Sequence, residues 1–354
     1  MHRRISGLNV LAVVGTLAAM SLAATSAAAA GSACDRRCLR ALLEQYLAAV
    51  VKHDPGAVPL TPGFRQTENA QAVVRGEGVW QSIASLGRLQ RYYVDAVNQS
   101  AGYYGTILEG GDAGIATLRL QIVDRKISEA EWIIGRKDTG TPAASGPGAT
   151  SVEGAELSPP PQGPLPREQR VPRADMMAVV NSYFDSLQGN NPALFIGHPG
   201  WLRIENGIGT GEGAGGMGRG PNAGPYQGRV GGAGNGPVAD AVSAARARNP
   251  AAIAQPACGG ICGVVARRYP VIDEEAGVAL GLVIFQRPPG NTNRRNLLSE
   301  WFAIDHGKVR GIYAAMHYLA PTIAAPNWPP FDGNWPLGAP AGAAPPIPPP
   351  PPAP

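Results

Sequence analysis

Four side chains in this sequence are placed to move or hold a proton: Tyr46, Asp95, Tyr183 and His317. Asp95 follows Tyr92 and Tyr93, with Trp80, Tyr103 and Tyr104 nearby in sequence, an aromatic density that suits a flat, apolar ligand. A lyase or dehydratase needs one group to take a proton and another to deliver it, each with its pKa set by burial. His317 lies in the run IYAAMHYL, where strand alternation puts Tyr313, Ala315 and His317 on one face, and imidazole is the usual base near neutral pH. His198 stands in the turn HPGW, and Asp185 and Glu205 are carboxylates available to orient either histidine. Tyr46 and Tyr183 occupy apolar helix faces, where a tyrosine serves as core as readily as it donates to a ligand.

Other chemistries find less support. Cys34, Cys38, Cys258 and Cys262 form two CxxxC pairs, which read first as disulfides in an oxidising compartment; a local bridge in each pair and two bridges between the pairs are both open. A metal site is the competing reading, but no histidine lies near either pair and the spacing is not that of a zinc site. GEGAGG at 211–216 matches GxGxxG literally, yet it sits in a long glycine-rich stretch with no helix directly after it. Neither HExxH nor GxSxG occurs, so the sequence calls for no cofactor and no metal. The formal charge of +4 is not gathered into a basic stripe with aromatics, so nucleic acid is a poor partner.

These residues must be positioned by a chain of 354 residues. Residues 1–30 read as a secretory signal peptide, with Arg3 and Arg4 ahead of an apolar stretch and small residues near Ala28. The rest has no second apolar run long enough to span a bilayer, so the expectation is an exported protein, periplasmic or extracellular, without a stable membrane anchor. The remainder divides into a first unit at 34–137, a mobile Gly/Pro-rich linker at 138–170, a second unit at 171–322 and a Pro-rich, disordered tail at 323–354. Within the second unit, 207–237 reads as a glycine-rich surface loop.

The two units are repeats. Cys38 to Ala70 lies ungapped over Asp175 to Gly207, keeping Ala41, Tyr46, Pro55, Pro62, Gly63, Glu68 and Asn69 as Ala178, Tyr183, Pro192, Pro199, Gly200, Glu205 and Asn206. Both copies open on a helix with one apolar face, Leu39 to Val50 and Met176 to Leu187, and continue through an Asp-Pro or Asn-Pro turn into a strand, FRQTEN or WLRIEN. Strand-like runs follow at 102–109, 114–123 and 127–134, and again at 264–272, 277–285, 299–304 and 309–318. Ala116, Leu118, Leu120 and Ile122 face one way and Thr117, Arg119 and Gln121 the other. Leu202, Ile204 and Asn206 share a face, which directs Asn206 to the interior as a pocket amide; the alternative for Glu68-Asn69 and Glu205-Asn206 is to hold the strand end by backbone hydrogen bonds.

A helix carrying a tyrosine, an Asp-Pro or Asn-Pro turn, a strand ending in Glu-Asn and a sheet of long strands resemble the nuclear transport factor 2-like superfamily, which includes ketosteroid isomerase, scytalone dehydratase and the SnoaL-like cyclases. QYLAAVVKHDPGAV at 45–58 is similar to the start of ketosteroid isomerases, and TEN, GEGVW and RRYPVIDEE resemble a tandem, exported family of unknown function. The resemblance implies an α+β fold of two tandem cone-shaped units, each with N-terminal helices packed on a strongly curved antiparallel sheet. It makes Tyr46 or Tyr183 a donor to a substrate oxygen and places Asn69 and Asn206 where the isomerases keep a catalytic aspartate. An amide removes no proton. Two hypotheses follow: a cofactor-free lyase, dehydratase or isomerase acting on a small cyclic or aromatic compound, or a non-catalytic protein that binds an apolar small molecule or a protein partner. Tyr46, Asp95, Tyr183 and His317 are the candidate catalytic groups, and Asn69, Trp80, Tyr103, Glu205, Asn206 and Tyr313 the candidate ligand contacts. Homodimerisation through the sheets is common in the superfamily, so the tandem units imply a monomer with an internal pseudo-dimer.

Overall fold

The computed structural model describes residues 33–136, 150–210, 261–286 and 295–319. Residues 1–30, read as a signal peptide, most of 207–237, read as a glycine-rich loop, Cys258 and residues 323–354, read as a tail, therefore lie outside the described residues.

Each half is a helix followed by a six-stranded sheet. The first half contains α1 (Arg36–Val51), β1 (Leu60–Glu68), β2 (Gln71–Val73), α2 (Val79–Ser82), β3 (Ile83–Asp95), β4 (Ser100–Glu109), β5 (Asp112–Val123) and β6 (Lys126–Arg136). After α3 (Val152–Leu157) the second half runs α4 (Arg173–Gln188), β7 (Gly197–Glu205), β8 (Ile208–Gly209), β9 (Gly263–Asp273), β10 (Val278–Gln286), β11 (Arg295–Asp305) and β12 (Lys308–Leu319). The strand orders are β2-β1-β6-β5-β4-β3 and β8-β7-β12-β11-β10-β9, the same arrangement twice. The α+β class and the repeated unit agree with the sequence. The wholly antiparallel sheet does not: β1 pairs parallel to β6 and β7 parallel to β12, because the four-strand meander returns its last strand beside the first in the same direction.

Both helices bury the stripe that their spacing announced. Leu39, Leu42, Leu43, Tyr46, Leu47 and Val50 pack under α1, and Met176, Val179, Val180, Tyr183, Phe184 and Leu187 under α4. Asp35 caps α1 by accepting from Cys38 N at 2.8 Å, a contact worth about 1 kcal/mol. α4 has no capping side chain of its own; Glu274, from the turn after β9, accepts from Arg173 N at 2.9 Å instead. Cys34 is bridged to Cys38 within one helical turn, so this pair does not staple the helix to the second half. Cys262 is disulfide-bonded as well.

The opposite faces of the two sheets meet. One core layer lies under α1 and one under α4, and a third, holding Tyr93, Tyr104, Ile133, Leu280, Trp301, Tyr313 and Ala315, lies between the sheets. The alternation read for β5 holds, but the Thr117 and Arg119 face is buried against the second sheet rather than solvated. Thr117 Oγ1 accepts from Trp301 Nε1 at 3.0 Å and from Ser299 Oγ at 2.8 Å. Glu131 is gripped by Arg268 at both oxygens and by Arg119.

The junction also carries a reciprocal clamp. Arg36, at the start of α1, pairs with Asp273 at 2.8 Å, and its repeat counterpart Arg173, at the start of α4, pairs with Asp95 at 2.8 Å. Asp273 accepts from Val94 N at 3.0 Å and Asp95 from Ile272 N at 2.8 Å, so each half caps the other's edge strand. Residues 150–170, placed by composition in a mobile linker, are docked. Pro160 and Pro161 accept from Arg91 and Tyr93, Glu156 accepts from Thr106, and Leu165 N donates to Glu275 O. Their backbone groups find partners that composition does not reveal.

Candidate functional site

The sites the sequence pointed to are dispersed through the fold. Under α1, Tyr46 donates to Gln66 Oε1 at 3.2 Å, and Trp80 Nε1 donates to the same oxygen at 2.7 Å. Trp80 meets Tyr46 edge-on with ring centroids 5.2 Å apart. Tyr103 belongs to this core, donating to Thr106 O at 3.1 Å. This interior is aromatic and neutral where it surrounds Tyr46, and burial raises the phenol pKa of Tyr46.

Asp95 is not in it. It lies at the junction, accepting from Val97 N, Asn98 N and Ile272 N and pairing with Arg173. It borders an open cleft of about 650 Å³ lined also by Arg36, Arg170, Pro172 and Glu274. Asp95 is 2 % exposed and its oxygens are committed to main chain and arginine, so it forms no acid–base pair with the aromatic interior.

Asn69 and Asn206 form a matched pair with a structural task. Asn69 N donates to Trp132 O, its Nδ2 to Ile134 O at 3.2 Å, and its Oδ1 accepts from Ile134 N at 2.8 Å. Asn206 repeats this on Ala314 and Met316, at 3.0 and 2.8 Å. Each sits at positive φ, 47° and 45°, where asparagine is tolerated. The amide acts as one more residue of the strand, supplying a donor and an acceptor together, which a carboxylate cannot do. The backbone-holding alternative is the one observed, and the pocket-amide expectation for Asn206 is corrected: Ile204 faces the layer between the sheets, and the amide turns to β12.

His317 lies on the face of β12 that carries Tyr313, Ala315 and Leu319, toward the first sheet, while Tyr183 packs against the other face. The structure therefore does not bring His317 or Tyr313 together with Tyr183. His198 finds Asp305 at 2.5 Å rather than Asp185 or Glu205, and Asp185 pairs with Arg267 at 2.7 Å.

A constellation that the sequence reading only touched lies under α4. Tyr183 is packed edge-on by Phe195, Trp201 and Phe302. Arg203, Glu205 and Glu300 project into the same interior, on the faces of β7 and β11 that carry Trp201 and Phe302. One nitrogen of Arg203, Nη2, pairs with Glu205 Oε1 and also donates to Glu300 Oε1 at 3.1 Å; Nη1 donates to Thr210 Oγ1 at 3.3 Å. Tyr183 Oη, Arg203 Nε and Glu300 Oε2 are buried without a hydrogen-bond partner among the described residues. Each such atom costs about 1–3 kcal/mol, and interiors keep few of them without a reason.

Electrostatics separates Glu300 from Glu131, the other buried glutamate among the described residues. Burial disfavours charge on both. At Glu131 two arginines outweigh it and hold the pKa below the ordinary value. At Glu300 burial prevails over the single arginine shared with Glu205, whose charge adds to the effect, and the pKa is pushed up to about 7. Burial also raises the pKa of Tyr183 well above its usual value, so its hydroxyl keeps its proton. Burial works against the charge of Arg203, but Glu205, Tyr183 and Glu300 outweigh it and keep the guanidinium ionised. Glu205 was a sequence candidate. Arg203 and Glu300 were missed, although charged residues at core positions of two strands were visible as LRIE and LLSEWF.

Comparison with known proteins adds little to this geometry. A family described as a domain of unknown function (DUF8021) matches residues 169–316, a span that holds Tyr183, Arg203, Glu205 and Glu300. No curated protein matches the chain. Among solved structures, a candidate ketosteroid isomerase from Kribbella flavida DSM 17836 is similar, with 14 % identity, a TM-score of 0.25, and 30 % of this chain and 85 % of that chain covered. A likeness that slight carries no conclusion about activity.

Proposed function

We propose that this chain is an exported pocket protein of the nuclear transport factor 2-like kind. Its second cone-shaped unit is a cofactor-free lyase, dehydratase or isomerase for a small cyclic or aromatic compound. The observation that carries the reading is Glu300: a fully buried carboxyl with one oxygen unpartnered among the described residues, adjacent to the Tyr183 phenol in an interior whose other walls are largely aromatic. With its pKa near 7 it exchanges a proton at neutral pH, the condition for general acid–base work. Tyr183 and Arg203 donate toward oxygen that gains negative charge in the transition state. The aromatic walls select the flat, apolar body of the ligand.

The second reading is a binding protein without catalysis. The neutral set around Tyr46, Gln66 and Trp80 favours it for the first unit, where the charged side chains of the same strand faces, Glu68, Glu109 and Arg136, are paired with one another. Export is supported by disulfide-bonded Cys34, Cys38 and Cys262, since such bridges persist in oxidising compartments. No described helix is long and apolar enough to cross a membrane. The packing of the two sheets on each other supports a monomer with an internal pseudo-dimer, which light scattering checks; a stable dimer would count against it.

Mass spectrometry of small molecules that co-purify with the full chain, repeated on Tyr183→Phe and Glu300→Gln, tests the function. A cyclic or aromatic compound retained by the native chain, depleted in Tyr183→Phe and chemically unchanged on incubation with Glu300→Gln, is the expected result. A ligand converted equally well by Glu300→Gln would leave only the binding reading.

A further inference from the structure

The contacts of Arg203 give Glu205 a task. Nη2 serves two carboxylates at once, Glu205 Oε1 and Glu300 Oε1, while Nη1 is held by Thr210 Oγ1. Thr210 N in turn donates to Arg203 O at 2.7 Å, which fixes the end of the β7–β8 hairpin under the guanidinium. An arginine facing one carboxylate closes a two-point fork on it, as Arg268 does on Glu131. Glu300 receives a single hydrogen bond from Arg203, and its Oε2 stays without a partner among the described residues.

We propose that Glu205 is a positioning residue for Glu300: by engaging the same guanidinium nitrogen it keeps Arg203 from closing a fork on Glu300, leaving Oε2 free to exchange a proton with a ligand. This rests on the acid–base reading of the second unit. The charged and titratable groups acting on Glu300 are Arg203 and Glu205 from β7 and Tyr183 from α4; the strand neighbours Gly281 and Ala314 carry none. The side chain of Glu205 is 12 % exposed and that of Glu300 is 0 %, so Glu205 tolerates its charge at the rim while Glu300 is tuned within. Removing the Glu205 charge leaves the guanidinium to Glu300 alone, which favours the ionised form and lowers the titration midpoint.

Infrared difference spectroscopy of the full chain against pH reads this without a substrate. The C=O stretch of a protonated carboxyl that Glu300→Gln abolishes is the signal of Glu300. In Glu205→Gln its midpoint is expected to fall by about one pH unit or more. If Glu205→Gln fails to fold, the same reading is taken on Glu205→Asp, whose carboxylate is one methylene short of Arg203 and should lower the midpoint by less. An unchanged or higher midpoint in the variant that folds overturns the proposal, as does the absence of any such band in the native chain. Because the titration needs no ligand, an empty co-purification would sink the function and leave the positioning role standing.

Discussion

The interiors beneath α1 and α4 are built on one plan and filled with opposite chemistry. Equivalent positions follow from the strand register. Asn69 and Asn206 seat on Trp132 and Ala314, whose neighbours on the next strand are Leu118 and Glu300, and the ungapped repeat matches Gln66 to Arg203. The first unit thus holds Tyr46, Gln66, Leu118 and Trp132 where the second holds Tyr183, Arg203, Glu300 and Ala314. In one the tyrosine hydroxyl donates to a neutral amide that also takes the indole of Trp80; in the other it stands beside an ion pair that leaves three polar atoms without partners among the described residues. The first interior also leaves a polar atom without a partner among the described residues, Gln66 Nε2, but since the same backbone supports a neutral set beside its tyrosine, the charged set is not a requirement of the fold. That is the argument for placing chemistry in the second unit.

The harshest challenge to this contrast is to write the second unit's carboxyl into the first. Leu118→Glu should cost about 4 kcal/mol in urea denaturation, because no arginine waits at that position, and adding Gln66→Arg should recover part of the loss. A loss below about 1 kcal/mol would mean that the first interior admits charge as readily as the second.

Next in size is the pH dependence contributed by Glu300. Its pKa is raised from 4.5 to about 7 by burial, so between those values the folded chain holds a proton that the unfolded chain has released. Stability from this group is full below pH 4.5 and declines as pH rises toward 7, by on the order of 3 kcal/mol. The difference between the native chain and Glu300→Gln, measured by denaturation across that window, should show this decline; a flat difference would place Glu300 with Glu131, as a structural ion.

Asn69→Asp and Asn206→Asp sharpen the shared part of the plan. Each removes the donor to a strand carbonyl and turns a carboxylate toward it, so each should cost about 1–3 kcal/mol, alike in the two units. The smallest effects separate the tyrosines. Tyr46→Phe loses a hydrogen bond and should cost about 1 kcal/mol, whereas Tyr183→Phe removes a hydroxyl without a partner among the described residues and should be neutral or slightly stabilising in thermal unfolding. Equal losses would erase the distinction between the two hydroxyls.

Much of the scaffold was legible because it depends on local periodicity and on repetition. The faces of α1 and α4 and the alternation of β5 are written in spacings of three and four and of two. β3 went unread, since IASLGRLQRYYVD mixes glycine, arginine and tyrosine and is held as an edge strand by tertiary pairing with β4. The candidate site under α4 was legible only at Tyr183 and Glu205. Asn206 was misdirected because alternation fails at a residue of positive φ, and His317 because alternation tells which residues share a face but not which face meets the helix. Arg203 and Glu300 lie far apart in sequence, and only the register of β7, β12 and β11 brings them together.

The reciprocal clamp of Arg36 on Asp273 and Arg173 on Asp95 has a consequence for inheritance. In an assembly of two identical chains, one codon would set both interiors, and every change that installed a charged cluster would install it twice, with its cost in stability doubled. Joined in one chain and locked across that clamp, the two halves answer to separate codons. One can keep a neutral core that holds the pair together while the other carries the charged one.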